Sequence, residues 1–114
     1  MAMKEIDLLQ GTLDLLILKT LSSESMHGYR IAARIQELSD EVLRIEEGSL
    51  YPALYRLEQK GLIQSEWGTT DNNRKAKFYK LTRKGRSEME AESDSWERLS
   101  RAVARVLKAI EQGA

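Results

Sequence analysis

The chain has 114 residues, 41% hydrophobic and 32% charged, which suits one small soluble domain with enough apolar side chains for a core. It contains no cysteine and one histidine, His27, which removes disulfide frameworks, thiolate or histidine-cluster metal sites and most imidazole chemistry. Eighteen basic and eighteen acidic side chains cancel, and a net charge of zero taken alone argues against a nucleic-acid partner.

Residues 1–9 include Glu5 and Asp7 and have no long apolar run, so they do not read as a secretion signal. The most apolar stretch, residues 13–21, is interrupted by Asp14 and Lys19 and is too short to span a bilayer. The expected location is cytoplasmic, with no membrane partner.

The spacing predicts a first helix over residues 9–22, with Leu13, Leu16, Ile17 and Leu21 on one side and Leu15 and Leu18 widening the stripe. So apolar a helix is expected to be buried on more than one side, partly against another subunit. Residues 22–26 read as a loop. A second helix follows over residues 27–39, striped by Ile31, Ile35 and Leu38, with His27 as a cap or packing residue. Residues 40–46 connect it to the next helix through Val42, Leu43 and Ile45.

The third helix is predicted from about Ser49 to Lys60. Leu50, Leu54 and Leu57 form its apolar stripe, and Pro52 fits only near the start, where no backbone N–H is required of it. Gly61 marks its end. Residues 62–67 and 75–81 alternate as strands do, and residues 68–73 supply the turn types between them, giving a β-hairpin. Trp67 reads as a strand residue packing this hairpin.

Thr82 is expected to cap a last helix reaching about Gln112. After Met89 its apolar residues Trp96, Leu99, Val103, Val106 and Ile110 follow in steps of seven, three, four, three and four, a heptad seam. Some thirty residues of helix is about 45 Å of rod, more than one small domain needs. A partner helix is implied, most simply from a second copy.

Helix, strand, basic turn and strand together are the layout of a winged helix. The expected class is therefore mostly α with a small β-hairpin: a winged helix-turn-helix domain over residues 1–82 and a dimerisation helix over residues 83–114. Charge placement supports it. Between residues 72 and 86 stand Arg74, Lys75, Lys77, Lys80, Arg83, Lys84 and Arg86 with no acid among them, while acids gather at residues 37–47 and 88–97. A neutral chain so arranged still presents one cationic face.

Four blocks of the chain resemble the PadR family of bacterial transcriptional regulators: Leu9-Gln-Gly-Thr-Leu-Asp-Leu-Leu-Ile-Leu18, His27-Gly-Tyr-Arg-Ile-Ala32, Gly48-Ser-Leu-Tyr-Pro-Ala-Leu-Tyr-Arg-Leu-Glu-Gln-Lys-Gly61 and Asn73-Arg-Lys-Ala-Lys-Phe-Tyr-Lys-Leu-Thr-Arg-Lys-Gly85. They stand in the family's order, and the single last helix resembles its short subfamily. The resemblance implies a dimeric winged helix-turn-helix repressor on a pseudo-palindromic operator. It also implies release by a small aromatic or drug-like effector, in members that have one.

Expected DNA-binding residues lie on two elements. On the third helix, Ser49 can meet a phosphate beside free N–H groups, Tyr51 a phosphate or base edge, and Pro52 a thymine methyl. Arg56 reaches guanine or a phosphate, or pairs with Glu58 or Glu47. Tyr55 reads DNA or packs under the wing. In the hairpin, Asn73, Arg74, Lys75 and Lys77 are candidates for phosphate or minor-groove contact, and Tyr29, with Arg30, adds a phosphate contact from the second helix.

The expected dimer seam is Met89, Trp96, Leu99, Val103, Val106 and Ile110. Trp96 is either a bulky core residue or the aromatic wall of an effector slot completed by Leu99, Val103 and Leu16 or Leu13. The competing reading is a winged-helix protein-interaction module with a coiled-coil dimerisation arm. An enzyme is not expected, because nucleophile–base pair, Gly-rich phosphate loop and metal ligands are all missing, and no cofactor is implied.

Overall fold

Leu13, Ile17, Leu18 and Leu21 are each at most 3% exposed, which places α1 (Gln10–Leu21) at the centre of the molecule. The structure, a computed structural model, describes residues 10–113. Leu9, expected to open the first helix, lies outside the described residues. Around α1 are β1 (Met26–His27), α2 (Gly28–Leu38), α3 (Glu47–Gln59), the hairpin strands β2 (Ile63–Thr69) and β3 (Lys75–Leu81), and α4 (Arg83–Glu111). Ile31 and Ile35 of α2, Leu50, Ala53, Leu54 and Leu57 of α3, Ile63 of β2 and Tyr79 of β3 close over α1. A fully buried Leu or Ile contributes about 1.5–3 kcal/mol, so this one cluster carries the fold.

Residues 22–26, expected as a loop, contain the start of a strand. Met26 and His27 pair antiparallel with Tyr79 and Phe78, making a sheet of order β1-β3-β2. A two-residue strand is too short to show alternation, and only the buried Met26 side chain marks it. His27 then caps α2, its Nδ1 accepting the Arg30 N–H at 3.3 Å.

The third helix begins at Glu47, earlier than expected, and Pro52 therefore lies inside it. Gly48 and Pro52 are both on the solvent side, so water can satisfy the carbonyl that the proline leaves without an intrahelical donor. Its end is a Schellman motif. The Leu62 N–H bonds Leu57 O at 3.0 Å and the Gly61 N–H bonds Glu58 O at 3.0 Å, with Gly61 at φ 74°.

Thr82 fastens α4 to that same turn. Its hydroxyl donates to Gly61 O at 2.7 Å and accepts from the Gly85 N–H at 2.9 Å. Gly85 is then pressed against the backbone just before β2: a Cβ there would stand 1.9 Å from Leu62 O. Met89, one turn on, is 4% exposed in the chain's own core. Its expected place on the dimer seam is thereby corrected, because it already belongs to the buried core of its own chain. Beyond Met89 the helix leaves the body, and the molecule reaches 57 Å along its longest axis.

Candidate nucleic-acid interface

The hairpin loop is short and specified. Thr70 and Arg74 close it: the Thr70 N–H donates to Arg74 O at 2.8 Å, and the Thr70 hydroxyl accepts the Arg74 N–H at 3.2 Å. Asn73 adopts φ 62°, the left-handed residue that a three-residue hairpin loop requires. Its side-chain type thus has a structural use as well as the expected contact role. Arg74, Lys75 and Lys77 stand exposed beside it. Among the described residues no acidic side chain pairs with any of the three.

Sheet register decides which way the hairpin faces. Ile63, Ser65, Trp67 and Thr69 of β2 oppose Leu81, Tyr79, Lys77 and Lys75 of β3 on one face. The lower half of that face covers the core through Ile63 and Tyr79, and its upper half continues past the body with Trp67, Lys77 and Lys75. The Tyr79 phenol has its pKa raised, first by burial, then by the charge of Glu58 and by Tyr51. On the other face the Phe78 ring covers Gly68, where a Cβ would lie 2.8 Å from the ring, and meets His27 edge-on at 5.5 Å.

Ser49, Tyr51, Pro52 and Tyr55 form the exposed side of α3, with Tyr51 at 48% and Tyr55 at 65% exposure. Tyr55 is therefore not tucked under the wing. Tyr51 rests on the start of α2: a Cβ on Gly28 would come within 3.1 Å of its ring, so glycine there lets the phenol lie against backbone. Tyr29 projects beside it at 73% exposure and stacks on His27 at 6.5 Å. Arg30 is engaged by Glu37 at 3.1 Å.

Tyr29 and Tyr51 from the helices and Trp67, Arg74, Lys75 and Lys77 from the wing meet around one open groove of about 710 Å³. No acidic residue lines it. Five of the ten expected binding residues, Tyr29, Tyr51, Arg74, Lys75 and Lys77, thus line one groove. Arg56 does not. Its guanidinium donates to Asp14 of α1 at 3.0 Å, with the two side chains 30% and 15% exposed. Neither Glu58 nor Glu47 is its partner; in the single chain Arg56 braces α1 to α3. Glu58 instead accepts from the Ser65 hydroxyl at 2.6 Å. Trp67, expected to pack the hairpin, is 68% exposed, with the Lys77 ammonium 5.9 Å from its ring centre.

At the far end, α4 carries Trp96, Leu99, Val103, Val106 and Ile110 between 46% and 66% exposed in the single chain. Leu13, expected to line an effector slot, is 3% exposed inside the core and is not available for one. Its place in the stripe already faces the other helices of its own subunit. Leu16 is half-buried and lines a groove of about 430 Å³ with Leu38 and Leu43, away from Trp96 within one chain. Among the described residues no helix is long and apolar enough to cross a membrane.

Comparison with known proteins agrees with this geometry. The sequence profile of the transcriptional regulator PadR-like family matches residues 17–91. The chain is 37% identical over 87 residues to the transcriptional regulator Rv3488 of Mycobacterium tuberculosis, covering 76% of this chain and 78% of that protein. Among solved structures, it is 30% identical to a PadR-like transcriptional regulator from Bacillus cereus, with a TM-score of 0.74 over 87% of this chain and 94% of that one. A transcriptional regulator from Clostridium thermocellum is 29% identical, with a TM-score of 0.76 over 84% of this chain and 93% of that one.

Proposed function

The chain belongs to the PadR-like family of transcriptional regulators, and we propose that it is a dimeric repressor whose α3 and basic wing grip a pseudo-palindromic operator. The observation that carries this reading is the groove where Tyr51 of α3 faces Arg74, Lys75 and Lys77 of the wing with no acid between them. Cations so placed hold phosphates and fix orientation, Ser49 adds a phosphate contact, and Tyr51, Pro52 and Tyr55 meet base edges.

The exposed stripe of Trp96, Leu99, Val103, Val106 and Ile110 supports pairing with a second copy, which would set two α3 helices against two half-sites. Those must lie about one DNA turn apart, roughly 34 Å, for both to be held. A flat aromatic effector seated beside Trp96 between the two long helices would alter that spacing and release the operator without touching DNA.

The test is duplex binding across a salt series. Binding should weaken steeply with salt as counterions leave the phosphates. Lys77→Ala should lower affinity for all sequences alike and reduce the salt slope by about 1, whereas Tyr51→Ala should cost about 1–3 kcal/mol mainly on the operator. A wild type that binds neither random duplex nor heparin at low salt removes the DNA reading and leaves a protein-interaction module. Identical behaviour of the two variants on operator and random duplex removes the division between reading and positioning.

A further inference from the structure

Trp67 is the residue that the established fold does not use. Tryptophan is large and seldom left open to water, yet this ring is 68% exposed on a strand of the wing. Nothing in the core needs it, since Ile63 and Tyr79 already close that face of the sheet below it. Register places it directly opposite Lys77, whose ammonium lies 5.9 Å from the ring centre. It also lines the groove that Tyr51, Tyr29, Arg74 and Lys75 share.

We propose that Trp67 is a further DNA-binding residue, its indole lying against the deoxyribose edge of the backbone while the adjoining Lys77 meets the phosphate. The inference rests on the DNA-binding reading above and deepens it. Sugar carbons offer the apolar surface that an indole face prefers, and they alternate with phosphates at a spacing that suits a ring beside a cation. The pairing also holds the long Lys77 side chain up towards the groove, so less rotamer freedom is lost when it meets the phosphate.

Two other occupants fit this groove less well. A second copy of the chain docking wing to wing would bring Arg74, Lys75 and Lys77 against their own likenesses. A small apolar effector would be served by a recess that encloses the ring, and this groove is open and cationic.

The test labels the wild-type protein with 5-fluorotryptophan, which gives one fluorine signal for Trp67 and one for Trp96, assigned with Trp67→Phe. Random-sequence duplex added at low salt should shift the Trp67 signal. Trp67→Ala should weaken duplex binding about tenfold, random and operator alike, with the salt slope unchanged because no cation is removed. Trp67→Phe should recover part of the loss, since a smaller ring keeps the apolar contact. Matching thermal melts of wild type and variants separate a lost contact from a lost fold.

The proposal is overturned if wild type binds duplex with the Trp67 signal unmoved and Trp67→Ala binds as tightly. It is also overturned if the loss comes with a flattened salt slope, for then Trp67 only positions Lys77. A Trp67 signal that follows protein concentration in place of duplex assigns the ring to a protein contact and overturns it likewise. Failure of the wild type to bind any duplex is a different result: it removes the DNA-binding reading, and this proposal with it.

Discussion

Arg56 sits on the helix proposed to read DNA, four positions after Pro52, where an outward guanidinium would reach a base. Its bond to Asp14 spans 42 positions of chain, and nothing in the local pattern of either helix announces it. Glu58 and Glu47 looked like the natural partners because they are near in sequence; the fold brings Asp14 nearer in space. Removing the carboxylate leaves a guanidinium with 30% of its side chain exposed and no counter-charge. Asp14→Ala should therefore lower stability by about 1–3 kcal/mol, between the values for surface and buried pairs. Urea denaturation measures it, and in an Arg56→Met background the same change should cost well under half as much. Leu13 and Met89 were misplaced for a related reason. Their apolar character was legible, but whether an apolar side chain faces its own core or a partner depends on the packing of elements, which periodicity does not contain.

Among the elements, the long periodic ones were legible and the short or strained one was not. α1, α2 and α4 carry stripes of several turns with recognisable ends, and the hairpin has Asn73 where a left-handed residue is needed. β1, with two residues, offers no period to read. The start of α3 was displaced by Pro52, because the usual rule confines proline to a first turn and solvent here relaxes it. The joint between α3, β2 and α4 was visible only as a motif. In space, Gly61, Thr82 and Gly85 weld the end of the proposed reading helix to the start of the long helix. Gly85→Ala would set a methyl 1.9 Å from the Leu62 carbonyl oxygen, a backbone atom that cannot rotate away. The expected loss is about 1–3 kcal/mol or more, as for overpacking of a core, seen as a lower denaturation midpoint. Gly11→Ala, where nothing lies within 4 Å, is the matched control and should be neutral or slightly stabilising.

For the whole molecule, the decisive property is the apolar edge of α4 that a single chain leaves open. Leu99 is 62% exposed there, so Leu99→Glu should leave the monomer folded. In the proposed dimer the same change would put a charge on each side of a desolvated seam, costing several kcal/mol, roughly 3 or more. Ultracentrifugation at micromolar concentration should find dimer for the wild type and monomer for the variant, with equal helix content by circular dichroism. A monomeric wild type would refute the dimeric arrangement.

The placement of charge has a consequence in time as well as in affinity. Because the net charge is zero while residues 72–86 hold seven cations and no acid, DNA exerts little pull on the molecule as a whole but a torque upon it. Screening confines that torque to about 8 Å in physiological salt. In the proposed DNA-binding reading, an arriving molecule would be turned wing first only in the last moments before contact. Such a regulator would find its operator at rates set by diffusion and orientation, with little long-range electrostatic acceleration.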